Sequence, residues 1–504
     1  MTSIGHTRDL CTMKIKSESR IRYEDYFNPA PPFITGAQMS RCVVVLERNG
    51  FSVNVPMLNE KCKRAEIDEQ AELQSLRSDY KTYGFPVKDD SDIDAIWSSP
   101  KQLIELCHEW LGLEHSPICK KGQVATWKGD VKIDGVALDY LGNRYKEHRV
   151  FLHRIRNLRT VRGCIKYLSK LPRFVGNDGL IHPTYGPMGD DDERGGTHTG
   201  RLGMKNPEGH QIPLELEKDP YGIRECFNVP PGYVKVVRDY QAMEVVILAW
   251  LCERLFSDRS LYRAVELGGR FHTVNSYNVF GTKLGWEHPS GKRISEWTLE
   301  EYERLVKTDD YCSARRKDAK TVWYGAQYRK SGRGFGYTLL NSNGEPIGEV
   351  AGQDVLDAFL EEAPALNKWY NFTDEWLSSF TYMPTPGGRL RDFAEDLSNH
   401  RGTGKRDWKF RSAGRKGGNH PLQGLCAELK MASIWRSINN PKLQKLGAIA
   451  EIEIHDEEHF RCLDDGRAEE VNGLVGEDME SVCRELGLPA KTDGGIGYTW
   501  TEAK

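Results

Sequence analysis

The sequence predicts an α+β fold in which amphipathic helices surround a small antiparallel sheet. Apolar residues recur at steps of three and four from Leu152 to Leu168, which is the spacing of one buried helix face. Valines at 234–237 predict a short strand, and an apolar helix follows from about Ala242 to Leu255. Isoleucines between Ile449 and Ile454 lead into an acidic turn and a further strand, the pattern of a β-hairpin.

The other elements follow in chain order from similar local signals. Residues 1 to about 30 lack periodicity and predict a tail, whereas apolar residues at helical spacing predict helices between Met39 and Tyr83. Gly and Asp dominate residues 186–200 and predict a loop or a joint between domains. A charged helix is expected from Asp310 to Ser331, with a glycine-rich loop after it through Gly348.

Composition limits the class of protein. The chain has 504 residues, 38% of them hydrophobic and 10% aromatic, which excludes wholesale disorder. Its longest apolar stretch, Val245–Cys252, falls far short of the ~20 residues that cross a bilayer. Residues 1–16 lack the apolar core of a secretion signal. We therefore expect no membrane partner and a cytoplasmic location, in the host cytoplasm if a phage encodes the chain.

The cysteines indicate a reducing environment. The chain contains 12 of them, and no two form a C-x-x-C pair. This argues against a zinc ribbon or a dithiol site and predicts reduced, mostly buried thiols.

Positive charge is concentrated in two segments, although the whole chain has a formal net charge of only −3. Between Leu141 and Val175, ten Lys or Arg residues oppose one acid, a local +9. Between Asn399 and Gly418, seven oppose one acid, a local +6. These segments are typical either of surfaces that bind a polyanion or of solvated helix faces.

Acidic residues follow both predicted strands. Asp239 ends the valine strand, and Asp456 and Glu457 lie at the hairpin turn. Each has an ordinary structural interpretation, as a helix cap or as a turn former. Together they supply the carboxylates that a two-magnesium phosphoryl-transfer site needs. Because Asp239 and Asp456 are 217 positions apart, only the fold can bring them together.

The predicted helix around Arg316 carries cations and aromatic rings on one face. Arg316, Lys320 and Tyr324 are spaced at i, i+4 and i+8, and Tyr328 continues the series. Such a face suits the phosphates of a nucleotide, with a ring beside its sugar and base. The alternative is an ordinary amphipathic helix with two solvated cations.

Three motifs in this order resemble motifs A, B and C of the family A DNA polymerases, the bacterial DNA polymerase I type. They are Asp239-Tyr240-Gln241-Ala242-Met243-Glu244, Arg316-x3-Lys320-x3-Tyr324-Gly325-x2-Tyr328 and Ile454-His455-Asp456-Glu457. The flanking segments Ser99-Pro100-Lys101-Gln102-Leu103, Thr199-Gly200-Arg201-Leu202 with Ile212-Pro213, Phe271-His272-Thr273 and Asn419-x3-Gln423-Gly424 are similar to the family's as well. The resemblance covers about residues 35 to 504.

This resemblance implies a right-hand fold with an antiparallel-sheet palm, helical fingers and a helical thumb. The expected regions are an N-terminal tail at 1–34, N-terminal helices and thumb at 35–185, palm at 186–260, fingers with connecting segments at 261–418, and the second part of the palm at 419–504. Only about 35 residues precede the match, so we expect a polymerase region without the 3′→5′ exonuclease domain. Copying would then proceed without editing, or a separate exonuclease would supply it.

The resemblance also implies a DNA-directed DNA polymerase that uses two Mg²⁺ ions, with Mn²⁺ as the alternative ion. It assigns Asp239 and Asp456 as ligands, the Tyr240 carbonyl as a backbone ligand and Glu457 as a supporting carboxylate. The ions would activate the primer 3′-hydroxyl and neutralise the leaving pyrophosphate. Lys320 would serve as the acid that protonates pyrophosphate.

For the incoming dNTP, the resemblance assigns Arg316, Lys320 and His272 to the triphosphate. Glu244 resembles the family's steric gate, which occupies the place of a ribose 2′-hydroxyl and bonds to the tyrosine that matches Tyr328. Tyr324 stands where many cellular members have phenylalanine and is similar to phage-type enzymes. We therefore expect ready incorporation of dideoxynucleotides, which Tyr324→Phe would reduce.

For the primed DNA template, the resemblance assigns two groups of residues. The first lines the primer terminus and its minor groove, and the second holds duplex phosphates on the thumb. They are Arg201, Arg415, Asn419, Gln423 and His455, and then Arg154, Arg156, Arg159 and Arg162. A separate exonuclease or a processivity factor would be a further partner.

Four positions depart from the family pattern. Gln241, Ala242, Val246 and Arg329 replace residues usual in the family, which leaves open the packing around Glu244 and the mobility of the fingers helix.

Two other functions stay open. A single-subunit RNA polymerase shares the fold, but it carries a small residue at the gate and serine after the His-Asp pair. The third reading is a non-catalytic nucleic-acid-binding protein on the same fold.

Overall fold

The computed structural model describes residues 34–116, 133–186, 197–212, 218–341, 345–397, 408–454 and 456–504. Its strands are β1 (Phe51–Ser52), β2 (Leu180–Ile181), β3 (Thr184–Gly186), β4 (Gly203–Lys205), β5 (Tyr233–Tyr240), β6 (Tyr382–Pro384), β7 (Leu390–Asp392), β8 (Ile449–Ile454), β9 (Glu457–Leu463) and β10 (Thr492–Gly497). Among these, β5, β8, β9 and β10 form one four-stranded sheet, and the others pair as short two-stranded ribbons.

Helices precede the sheet, separate its first strand from the others, and cover it. They are α1 (Gly36–Asn49), α2 (Val55–Thr82), α3 (Asp90–Ile96), α4 (Pro100–Ile104), α5 (Gly135–Arg144), α6 (Arg149–Lys170), α7 (Met243–Phe256), α8 (Tyr262–Leu267), α9 (Phe271–Ser276), α10 (Leu299–Thr308), α11 (Asp310–Gln327), α12 (Gly332–Gly336), α13 (Gly348–Glu362), α14 (Ala365–Ser379), α15 (Ala394–Leu397), α16 (Trp408–Asn439), α17 (Pro441–Lys445) and α18 (Ala468–Glu485). The α+β class predicted from the periodicities is therefore observed.

The four-stranded sheet is antiparallel throughout and runs in the order β10-β5-β9-β8. Its apolar side chains, such as Val236 and Phe460, are buried, and α18 packs against β5 and β10. The hairpin of β8 and β9 is the one predicted from the isoleucine alternation. Because β5 pairs with β9, an early and a late segment of the chain end side by side.

Two helical groups flank this sheet. In the N-terminal group, α2 and α6 pack along each other around a core that includes Leu76, Trp97 and Leu152. In the second group, α11 packs against α9, α10 and α13, while α14 packs against both α7 and α16. The amphipathic helix predicted around 152–168 is α6, and the apolar helix predicted from about Ala242 is α7.

The glycine-rich segment after α11 differs from the prediction. The helix expected through Ser331 ends at Gln327, and Ser331 instead caps α12, because its Oγ accepts from the Gly334 backbone N–H at 3.2 Å. The segment predicted as loop therefore contains a short helix. A serine hydroxyl competes with helix continuation and favours a new N-terminus.

Two expectations from composition agree with the described residues. The ten cysteines within the described ranges are all buried and free of disulfide bonds. In the same ranges, no helix is both long and apolar enough to cross a bilayer.

Candidate active site

The β5–β9 pairing brings the predicted acids together. Asp239 on β5 lies opposite Glu457 on β9, and the Tyr240 backbone N–H donates to the Asp456 carbonyl at 3.4 Å. Asp239 does not cap the helix that follows, since α7 begins after Ala242 without a side-chain cap. The structural interpretation of Asp239 as a helix cap is therefore wrong.

Positive groups flank these carboxylates. Burial raises the pKa of Asp239, as does the nearby charge of Asp456, whereas Lys504 and Lys430 act to lower it. Lys504 Nζ lies 3.5 Å from Asp239 Oδ2, and Arg201 Nη2 lies 3.5 Å from Asp456 Oδ1. Two close, partly buried carboxylates favour a cation, and their hard oxygen atoms are the ligands that Mg²⁺ prefers. The residues present thus fit the expected ion.

Glu457 is held firmly beside this pair. Trp500 Nε1 donates to Glu457 Oε2 at 3.0 Å, and His459 Nε2 lies 3.1 Å from the same oxygen. Lys504 Nζ contacts the other oxygen and also reaches Asp239. Each oxygen of Glu457 therefore has a partner, and its carboxylate orients the ammonium that faces Asp239.

Glu244, at the start of α7, accepts from three donors. Its Oε1 accepts from Arg201 Nη2 at 2.8 Å, and its Oε2 accepts from Gln327 Nε2 at 3.3 Å and from the Tyr328 hydroxyl. The contact between Glu244 and Tyr328 that the resemblance implied is present. Arg201 touches both Glu244 and Asp456, so one guanidinium joins the predicted gate to a predicted metal ligand.

The predicted triphosphate residues come together on α9 and α11. Arg316 Nε donates to Thr273 Oγ1 at 3.2 Å, next to His272, and the rings of His272 and Tyr324 are 6.1 Å apart. Burial and the charges of Arg316 and Lys320 lower the pKa of His272 to about 4. His272 is therefore neutral at pH 7, and its buried Nδ1 has no hydrogen-bond partner.

Helix α16 carries three of the predicted primer-terminus residues. Gln423 Nε2 lies 3.5 Å from the Tyr328 hydroxyl, and the buried Asn419 Oδ1 has no hydrogen-bond partner. Arg415 is exposed. Arg201, predicted for the primer terminus, contacts the two acids described above instead of standing free. His455 lies outside the described residues.

The four arginines predicted to bind duplex phosphates correct the expectation of a free cationic face on α6. Arg159 donates to the carbonyls of Trp97 and Ile133 at 2.8 and 3.1 Å, and therefore supports the fold. The other three form ion pairs with acids on neighbouring helices, which are Arg154 with Asp79, Arg156 with Asp139 and Arg162 with Glu69. Three acids on α2 and α5 thus pair with three of these positive charges, and phosphate binding here stays a prediction.

Sequence reasoning missed several residues of the site. Trp500 and Lys504 carry no local signal, because only the fold brings the C-terminal residues to Glu457. His459 is two residues from Glu457 on the same strand. Gln327 could have been found, since it directly precedes Tyr328 in the motif. Lys430 is buried within 2.8 Å of Glu453 beneath the acids, and no pattern in the sequence marks it.

Known proteins resemble this chain over most of its length. A sequence model of DNA polymerase family A matches residues 73–294 and 301–502. A thermostable DNA polymerase I of Thermus filiformis is 26% identical over 92% of this chain and 47% of that relative. DNA polymerase I of Deinococcus radiodurans is 27% identical over 91% of this chain and 41% of that relative.

A solved structure matches the fold. It is the POL domain of Pol1 from M. smegmatis in complex with DNA primer-template and dNTP, with a TM-score of 0.72 and 21% identity over 93% of this chain and 70% of that chain. This match confirms the right-hand fold class expected from the motifs. The chain spans less than half the length of the two curated relatives above.

Proposed function

Because the chain belongs to DNA polymerase family A, we propose that it extends a primer 3′-hydroxyl with deoxynucleotides in the order set by a DNA template. One observation carries this proposal. Arg201 contacts both Glu244 and Asp456, so the group that would select the sugar lies one guanidinium away from the group that would hold the ion. The selection of a nucleotide and its chemistry therefore share one location.

Asp239 and Asp456 would hold two Mg²⁺ ions, with the Tyr240 carbonyl as a further ligand. When bound, the ions would lower the pKa of the primer 3′-hydroxyl and neutralise charge on the leaving pyrophosphate. Glu457 orients Lys504, whose ammonium balances the charge of Asp239. The sheet fixes both acids, since Tyr240 and Asp456 are joined through their backbones.

The nucleotide would lie along α11. Arg316 and Lys320 would face the triphosphate, and His272 would donate a hydrogen bond to it from the adjacent helix α9. Lys320 is exposed and would transfer a proton to pyrophosphate as it leaves. The ring of Tyr324 would pack against the sugar and base.

Glu244 and Tyr328 would exclude a ribose 2′-hydroxyl. The carboxylate is held by three donors, so moving it to admit an extra oxygen breaks hydrogen bonds. This bulky, anchored gate favours a DNA polymerase over the single-subunit RNA polymerase alternative. Asn419, Gln423 and Arg415 would face the minor groove, where every correct base pair presents N3 or O2 acceptors.

A primer-extension assay on one primed template tests the proposal. With Mg²⁺, the protein should extend the primer with dNTPs, stop when the next templated dNTP is left out, and extend poorly with rNTPs. Efficient extension with rNTPs would favour the RNA polymerase alternative. Salt-sensitive DNA binding without any extension would favour the non-catalytic one.

His272 gives the nucleotide site a predictable pH dependence. Its pKa of about 4 should rise when a triphosphate adds negative charge, so binding takes up a proton. Affinity for dNTP should then increase as pH falls through the raised pKa, up to about tenfold per pH unit. Measuring dNTP affinity in steps from pH 8 down to pH 4.5 checks this, and His272→Gln should flatten the rise toward low pH. Equal pH dependence in both proteins would contradict it.

Copying without 3′→5′ editing, a separate exonuclease or processivity factor, and a cytoplasmic location stay predictions from the sequence.

A further inference from the structure

Arg329 adopts a backbone conformation that its residue type disfavours. It follows Tyr328 at the end of α11, and its φ is 57°. In this left-handed region any side chain with a Cβ atom costs free energy, so such a residue persists only where its surroundings determine it strongly.

The contacts of the Arg329 side chain explain why this backbone conformation persists. Its Nη1 donates to Asp374 Oδ1 at 2.5 Å, and its Nη2 donates to the Tyr370 carbonyl at 2.6 Å and to Thr373 Oγ1. The guanidinium also stacks on the Tyr370 ring, 4.8 Å from its centroid. All three partners lie on α14. We call this set of contacts the Arg329 clip.

The clip is shielded from water and fits a space left for it. The side chains of Arg329 and Asp374 are each only 15% exposed, so the ion pair is less screened than one on the surface. A Cβ atom at Gly414 on α16 would lie 2.9 Å from Arg329 Nη1. Glycine at this position therefore leaves the volume that the guanidinium occupies. The Tyr370 hydroxyl also joins α14 to α11, since it donates to the Ala326 carbonyl.

These contacts connect Arg329, through helices α14 and α7, to the predicted sugar gate formed by Glu244 and Tyr328. Tyr328, beside Arg329, donates to Glu244 at the start of α7. Helix α7 packs against α14, and Cys252 Sγ on α7 donates to the Ala365 carbonyl of α14 at 3.8 Å. Helix α14 in turn holds Arg329. The contact of Tyr328 with Glu244 is thus constrained from both ends.

We propose that Arg329 is a positioning residue for sugar selection, which fixes Tyr328 against Glu244 through α14. This inference rests on the proposed function. A ribose 2′-hydroxyl can enter only if Glu244 or Tyr328 moves, and the clip opposes that movement without touching the nucleotide. Loosening the clip should admit ribonucleotides more readily while leaving the acids and the triphosphate residues in place.

Three variants separate the clip from the backbone conformation. Asp374→Asn weakens the ion pair and leaves residue 329 unchanged. Arg329→Gly removes the guanidinium and also relieves the disfavoured φ, so a loss of discrimination cannot come from added strain. Arg329→Lys keeps the charge but loses the two-nitrogen geometry. Arg436→Gln is the matched control, because it breaks a 2.7 Å pair with Glu485 between α16 and α18, outside the clip.

The measurements are kcat/KM for a dNTP and for its rNTP on one primed template, with amide hydrogen exchange of residues 324–330. Asp374→Asn and Arg329→Gly should lower the preference for dNTP about tenfold, mainly by raising kcat/KM for rNTP, and Arg329→Lys should fall between them and the wild type. Exchange at 324–330 should quicken in the same order. The control should match the wild type in both measurements.

Two outcomes would overturn the inference. The first is faster exchange with an unchanged preference for dNTP, which would show a purely structural clip. The second is an equal loss of kcat/KM for both nucleotides, which would show general damage. Extension of primers by the wild type supports the proposed function whatever the variants do, whereas its absence overturns both.

Discussion

Asp456→Asn should lower the rate of primer extension by about a thousandfold or more, equivalent to at least ~4 kcal/mol of transition-state stabilisation. The amide keeps the size of the side chain, and the Asp456 carbonyl that accepts from Tyr240 is unaffected. The sheet should therefore persist while one ligand charge is lost. Single-nucleotide extension under rapid mixing measures the effect.

Asp465→Asn is the control for this experiment. Asp465 is an exposed acid beyond the opposite end of β9, paired with Arg467. The Asp465→Asn variant should extend primers at the same rate as the wild type. DNA affinity and its salt dependence should be the same in all three proteins, because phosphate contacts set them. Near-normal extension by Asp456→Asn would remove Asp456 from the proposed metal site.

Glu244→Ala should lower the preference for dNTP over rNTP by about a hundredfold. The bulk that would clash with a 2′-hydroxyl disappears, and relief of such a clash is worth ~3 kcal/mol. The measurement is kcat/KM for a dNTP and its rNTP on one primed template. The truncation also leaves Arg201, Gln327 and Tyr328 without their acceptor, so some loss of dNTP activity should accompany it.

Glu244→Gln separates bulk from charge. It keeps the volume of the side chain and one acceptor oxygen, so it should retain most of the discrimination against rNTP. Arg201 would lose a charged partner, which should weaken its contact with the gate. If Glu244→Ala discriminates as well as the wild type, Glu244 is not the sugar gate, and the role proposed for the Arg329 clip falls with it.

Local patterns predicted much of the fold. Helices α6 and α7 and the β8–β9 hairpin follow from apolar spacing, since periodicity reports which face a segment buries. The pairing of Glu244 with Tyr328 and the grouping of Arg316 with His272 came from the resemblance of ordered motifs. Helix α12 was missed because a serine cap within a glycine-rich stretch has little periodicity to detect.

The arginines of α6 show the limit of counting charges along the chain. A local +9 describes α6 alone, whereas the acids that pair with Arg154 and Arg162 lie on α2. Packing of the two helices decided whether those cations are free. Whether a cationic side chain is paired depends on which acids lie beside it in the folded protein, and composition does not give those neighbours.

By itself, the sequence determined the elements, their order and the residue types able to bind ions and nucleotides, because these depend on interactions within a few residues. Only the tertiary structure decided which groups meet. It placed Asp239 beside Asp456, brought Lys504 to both Asp239 and Glu457, and tied Arg329 to α14. These contacts join segments distant along the chain, and their distances depend on how strands pair and helices pack.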